Sequence, residues 1–208
     1  MHAKEALRAQ FDAAGRADPV ALPSLPGIAD WTPLRYRPVV ATGEYMSSRQ
    51  ILIDNKVHSG RAGYHVVTPL ALADGRIVLV NRGWIAQGAS RSDLPAAPAP
   101  SGVVSVQGRV AIPAAGYLEF SAAAPGPVWQ NLDPARIAAA DGLDLLPIVV
   151  EATAAPLPDD GLLRDWPAPD FGIEQHRIYM VQWYLFALVA AVLWIWFHRR
   201  RSSRAIDG

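Results

Sequence analysis

The chain contains no cysteine, which excludes disulfides, thiolate metal sites and cysteine nucleophiles. Nor has it any excess of charge: lysine and arginine number 19, aspartate and glutamate 19, so no overall field draws it to nucleic acid. Charged residues make up only 18%, below the ~25% usual for soluble domains, and the shortfall is concentrated in one apolar block near the C-terminus. There is no P-loop, no dinucleotide-binding glycine pattern and no internal repeat. The histidines, His2, His58, His65, His176 and His198, include no pair at metal-ligand spacing. Ser47 and Ser48 lack the flanking glycines of a nucleophile elbow. Asp159 and Asp160, adjacent in a proline-rich stretch, point apart and read as solvated surface. With no nucleophile, metal or acid–base constellation, no enzyme activity is expected.

What is present is the apolar block. From Ile178 to Phe197 the sequence reads IYMVQWYLFALVAAVLWIWF, without an ionised side chain. At ~1.5 Å per residue such a helix crosses the ~30 Å hydrocarbon core of a bilayer. Trp183 and Tyr184 near one end, and Trp194 and Trp196 near the other, match interfacial aromatic belts. His198-Arg199-Arg200-Arg201 follows at once, with Arg204 beyond. By the positive-inside rule that basic tail, 198–208, is cytoplasmic, and the rest of the chain lies on the periplasmic side of a bacterial inner membrane. The 18 prolines and abundant alanine fit a GC-rich bacterial source. A large exported domain needs an export signal, yet Met1 to Leu22 is charged and carries no apolar h-region. The expectation is therefore a first transmembrane helix upstream of the sequence as written.

The exported part reads as mainly β with flanking helices. An amphipathic helix over 3–16 and a linker broken by Pro19, Pro23 and Pro26 make up 1–26. Residues 27–155 read as a β-rich domain. Its runs are Val39–Met46, Arg49–Val57, Tyr64–Leu72, Arg76–Trp84, Val103–Ile112 and Ile148–Thr153, with a short one at Tyr117–Phe120. Ser47-Ser48 is a candidate tight turn, Ala73-Asp74-Gly75 a hairpin signal, and Pro95–Pro100 a loop. One helix is predicted between Asp133, an N-cap followed by Pro134, and Gly142. Short, regularly spaced strands predict a small antiparallel β barrel or sandwich. Residues 156–177 read as a loop leading to the transmembrane helix at 178–197.

Two segments stand out as candidate sites. Asn81-Arg82-Gly83-Trp84 ends a strongly apolar strand. Arg82 and Trp84 either present a cation and an aromatic to a partner, with Gly83 between them, or form a plain strand end with Gly83 easing a bend and Trp84 packing on the sheet. The other segment opens the apolar helix. His176, Tyr179 and Trp183 share a helix face, with Gln182 close to it. A polar, aromatic stripe there implies a partner, since lipid offers polar groups nothing to bond. A histidine so placed is either a haem axial ligand or a simple interfacial residue.

Three stretches together resemble the surfeit locus protein 1 family. One is Gly63-Tyr64-His65-Val66-Val67-Thr68-Pro69-Leu70 with Val78-Leu79-Val80-Asn81-Arg82-Gly83-Trp84-Ile85. The next is Gly43-Glu44-Tyr45 with Val106-Gln107-Gly108-Arg109, and the last is His176-x-x-Tyr179-x-x-Gln182-Trp183. Order and spacing match from about Lys4 to Arg201. Members of that family carry two transmembrane helices around an external domain, and this sequence departs from them in lacking the first. The resemblance implies a factor that aids insertion or stabilisation of haem a in subunit I of cytochrome c oxidase. It implies His176 as axial ligand to the haem iron, with Tyr179, Gln182 and Trp183 shaping the pocket or the contact with the oxidase subunit. It also implies the oxidase subunit, proteins of haem a synthesis or assembly, and membrane lipid as partners. The alternative is a membrane adaptor that docks on subunit I without cofactor, through Arg82 and Trp84.

Overall fold

A computed structural model describes residues 9, 11–22, 28, 30–90, 93–113, 126–155, 160–166 and 182–194. It divides into a unit over Ala9–Trp166 and a second made of Met1–Arg8 with Pro167–Gly208. The first unit is built on eight strands: β1 (Val20–Leu22), β2 (Pro38–Tyr45), β3 (Ile51–His58), β4 (Arg61–Leu72), β5 (Ile77–Ala86), β6 (Val103–Ala111), β7 (Val128–Trp129) and β8 (Leu145–Ala152). They run in the order β1-β2-β6-β8-β5-β4-β3-β7. A further pairing of β2 with β4, Gly43 opposite Leu72 and Tyr45 opposite Leu70, closes five of them into a barrel.

Alternation decides which face is inside. In β2, Val39, Ala41 and Tyr45 are buried and Thr42 and Glu44 exposed, the period of two that a half-buried strand requires. These side chains meet Leu70, Leu72, Val78, Val80, Val106, Val110, Ile148 and Val150 in the barrel core. The strand β4 is long enough to change neighbours. Its second half pairs with β2 and its first half with β3. Pro69 sits where the neighbour changes; its carbonyl accepts from the Met46 amide, and the missing N–H breaks no ladder. Outside the barrel, α1 (Pro134–Asp141) covers Ile51, Ile53, Val67, Leu79 and Val149 with Ile137. Its Asp133 cap accepts from the Ala135 and Arg136 amides, and Gly142 ends it in the left-handed conformation, as the sequence predicts.

Several expectations need correction. The sheet is not purely antiparallel: β5 pairs with β8 in parallel, as do β1 with β2 and β3 with β7. Ser47 and Ser48 make no hairpin; with Arg49 they form a 3₁₀ turn, and β2 and β3 both pair with β4 instead of each other. The tight hairpin falls at Ser59-Gly60, both at positive φ (47° and 77°). The proline linker contains β1, whose Leu22 is buried in the barrel core. Phe11 also packs on this unit, edge-on to Tyr36 at 5.1 Å. Tyr117–Phe120 lies outside the described residues.

In the second unit, 182–194 is helical and every residue along it is exposed, Trp183 at 70% and Leu188 at 61%. The expected span 178–197 runs past the described residues at both ends. Among the described residues no helix is long and apolar enough to cross a membrane.

Barrel closure makes a test. A Cβ at Gly43 would collide with the Ala71 carbonyl oxygen of β4. Gly43→Ala is expected to lower the unfolding free energy by about 2 kcal/mol or more; urea denaturation followed by circular dichroism measures it.

Candidate functional site

The segment Asn81–Trp84 is a β-bulge. Val66 lies opposite Gly83 and Val67 opposite Asn81, so Arg82 is the extra residue in β5. Arg82 follows Val78 and Val80 toward the barrel interior, and the extra residue puts Trp84 on the same face of the sheet as Asn81. Arg82 is 1% exposed. Its Nη1 donates to Gln50 Oε1 and to the Ala97 carbonyl, both at 2.9 Å, and its Nη2 to the Pro98 carbonyl at 2.8 Å. Thr68 Oγ1 donates to the same Gln50 oxygen at 3.1 Å. The Tyr45 ring lies 5.5 Å from the guanidinium carbon, a cation–π contact. The Pro95–Pro100 loop thus supplies carbonyls that a guanidinium fork can reach together.

Burial works against the Arg82 charge and lowers its pKa, while the Asp160 carboxylate acts in the opposite sense; a guanidinium remains charged throughout. Burial also pushes the Tyr45 hydroxyl up to about 12, so it stays neutral.

A strap over 160–166 closes this end of the barrel. Leu162 is buried with Leu52, Tyr64, Val66 and Ala97. Trp84 and Leu163 exchange backbone hydrogen bonds at 2.7 and 2.9 Å. Trp166 Nε1 donates to the Ala152 carbonyl at 2.6 Å. Gly83 is at φ 147°, where L side chains are strained, and a Cβ on it would lie 2.8 Å from Leu162 Cβ and from the Leu163 oxygen. Asp160 is not solvated surface as expected. It pairs with Arg164 through both carboxylate oxygens and accepts from the Leu162 amide. Burial alone would raise its pKa, but those hydrogen bonds and the two arginine charges hold it below the usual carboxylate value. Asp159 lies outside the described residues. The strap carries the barrel unit to Trp166, beyond the expected boundary at 155.

Of the two readings of Arg82 and Trp84, burial goes against the docking surface and fits the packed strand end. Trp84 is 5% exposed, its Nε1 bonded to the Lys56 carbonyl and its ring 5.2 Å from that of His58. Neither side chain is presented to a partner; both hold the strand end and the strap. Sequence reasoning missed Tyr45, Gln50, Thr68 and Arg164. Their signals were a polar pair, Asn81-Arg82, closing an otherwise apolar strand, and the place of Tyr45 and Thr68 in the stretches that carry the family resemblance. Of the helix stripe, His176 and Tyr179 lie outside the described residues. Gln182 and Trp183 are exposed, with Trp183 edge-on to Phe186 at 6.1 Å.

Comparison with known proteins places this arrangement. A sequence model of the SURF1 family matches residues 1–188. The chain belongs to the SURF1 family. A SURF1-like protein of Monosiga brevicollis is 27% identical over 220 residues, covering 97% of this chain and 80% of its own length. One of Drosophila melanogaster is 30% identical over 207 residues, covering 87% of this chain and 64% of its own. The cytochrome oxidase assembly protein SHY1 of Saccharomyces cerevisiae is 34% identical over 59 residues, 28% of this chain and 14% of its own length. The chain thus spans less than two thirds of the fly SURF1-like protein. The bulge–strap assembly can be tested by substitution. Arg82→Ala leaves the Ala97 and Pro98 carbonyls without donors and should cost about 3 kcal/mol in urea unfolding. Gly83→Ala should displace the strap, seen as faster tryptic cleavage after Arg164.

Proposed function

We propose that this protein is a membrane-anchored, non-enzymatic assembly factor that aids insertion or stabilisation of haem a in subunit I of a haem–copper cytochrome c oxidase. The observation that carries this reading is SURF1 membership over residues 1–188, together with a yeast relative whose name is that of a cytochrome oxidase assembly protein. The helix over 182–194 supports the anchor. It is apolar all round and exposed along its whole described length. Water would leave that surface uncompensated at roughly 25 cal/mol per Å², whereas lipid covers it without penalty. At ~1.5 Å per residue the described part is shorter than the ~30 Å core, and the apolar sequence continues on both sides to complete a span from Ile178 to Phe197. The arginines after it then hold the C-terminus in the cytoplasm and the barrel in the periplasm of a bacterial inner membrane.

In this reading His176 supplies the axial nitrogen to the haem iron at the outer membrane surface. Tyr179, Gln182 and Trp183, at helical spacing from it, line the same side. An imidazole binds iron in its neutral form. The partners are oxidase subunit I, proteins of haem a synthesis and lipid.

The experiment is co-expression of the full chain with haem a synthesis, purification in detergent and visible spectroscopy. The expected result is a haem a Soret band that His176→Ala largely abolishes. An unchanged band in that variant removes the ligand assignment. Oxidase activity that stays normal in cells lacking the protein removes the assembly role.

A further inference from the structure

A second bulge matches the one at Arg82. In β3 the register with β4 shifts between Ile53, opposite His65, and Lys56, opposite Gly63, with Asn55 in the left-handed conformation at φ 59°. The two bulges flank β4 on either side, and each brings residues three apart onto one face. From β3 they present Ile53 and Lys56 together; from β5, Asn81 and Trp84. All four lie on the outer face of the sheet that carries His65. There Lys56, His65, Asn81 and Glu151 line a half-open cavity of about 330 Å³, whose remaining wall is largely apolar, with Ile112 and Leu132 among its residues.

The polar groups of this cavity are not balanced among themselves. Glu151 is engaged by Arg109 of β6, Nε to Oε2 at 2.7 Å. No carboxylate among the described residues pairs with the Lys56 ammonium, and burial lowers its pKa. Asn81 Nδ2 lies 3.2 Å from His65 Nδ1. When that amide donates to the ring, the proton of the neutral imidazole sits on Nε2, a second donor. Asn81 is 2% exposed and its Oδ1 is buried without a partner, a cost in stability that two bulges and a polar cluster do not recover.

We propose that this cavity is a binding site for the carboxylate of a small amphipathic acid, held by Lys56 and His65 with the hydrocarbon body against Ile53, Ile112 and Leu132. One cation with no carboxylate partner among the described residues matches one negative charge, whereas a phosphate dianion would call for more. The volume is at the lower end of small-molecule sites, and the mixture of apolar wall with a few convergent polar groups is their usual make-up. Two sources share this chemistry: a free short-chain acid, and a propionate arm of a haem. Only the second rests on the function proposed above.

Binding should depend on pH. Burial and the Lys56 charge push His65 down to about 4. The other charged groups facing it across the cavity are Lys56 itself and Glu151 with its Arg109 partner. An anion beside the ring raises its pKa, so the bound state takes up protons that the free state releases, and affinity rises as pH falls.

The test uses the full chain in detergent, with the imidazole NMR signals of His65 identified through His65→Gln. Titration with sodium butyrate should shift those signals saturably and move their pKa upward. Lys56→Met should weaken binding at least about tenfold, and Lys56→Arg should retain most of it. The Lys56 carbonyl bond to Trp84 is untouched by either change. Competition by haem, but not by its dimethyl ester, assigns the site to a propionate. Butyrate binding that haem leaves unaffected assigns it to a free acid and separates it from haem handling. No saturable shift with butyrate or haem at any pH from 5 to 7.5, or equal affinity in Lys56→Met, overturns the proposal.

Discussion

A guanidinium held inside a barrel is the constraint around which this structure is arranged. Arg82 is almost wholly buried, and its two terminal nitrogens meet oxygens from two separate parts of the chain, Gln50 and the 97–98 backbone, with the face of Tyr45 beside the guanidinium, while Nε has no partner among the described residues. A buried charge costs least when its donors are met, so these oxygens matter to the fold. The loop after β5 and the turn after β2 therefore stand where the guanidinium needs them; Arg82 follows Val78 and Val80 inward by alternation, and the bulge in β5 sets the face of Trp84 after it. Gly83 then follows from the strap, because the backbone of 162–163 passes where any Cβ would be. Four consecutive residues, Asn81 to Trp84, each have a distinct structural reason to be what they are.

The bulges on the two neighbours of β4 also give the sheet two different faces at one end. The inner face there is sealed by Leu162 and by the Arg82 network, while the outer face keeps a cavity lined with lysine, histidine and asparagine. A regular ladder would have put Lys56 on the opposite side from Ile53, whereas Asn81 follows Leu79 to the outer face by alternation. The β3 bulge thus adds the lysine to the cluster, and bulges commonly re-aim side chains at functional positions.

Much of the barrel was legible because its signals are local. Asp74-Gly75 joins β4 to β5, with the Asp74 carboxylate receiving the Arg76 amide at 3.1 Å, and Asp133 and Gly142 bound α1 as their capping chemistry requires. What escaped reading is non-local. Val20–Leu22 looks like linker between prolines and becomes a strand only by pairing with β2. The parallel partnership of β5 and β8 joins segments far apart in sequence, which alternation cannot reveal. Asp160 looked solvated because its partner Arg164 and the burial of Leu162 depend on the strap reaching the barrel. Of the two readings left open for Asn81–Trp84, burial fits the strand end with Trp84 packed on the sheet, and the bulge that sets the face of Trp84 is invisible in a string of residues. The helix stripe was read from spacing alone, and of its members Gln182 and Trp183 fall within the described residues.

The claim that the Arg82 clamp organises the barrel mouth is tested most directly by hydrogen exchange, residue by residue, on the full chain in detergent and on Arg82→Met. The account predicts slow exchange at the Trp84 and Leu163 amides in the parent protein. In the variant those two amides should exchange much faster while Val150, in the barrel core, keeps its protection. Equal protection of Trp84 and Leu163 in both proteins would contradict it.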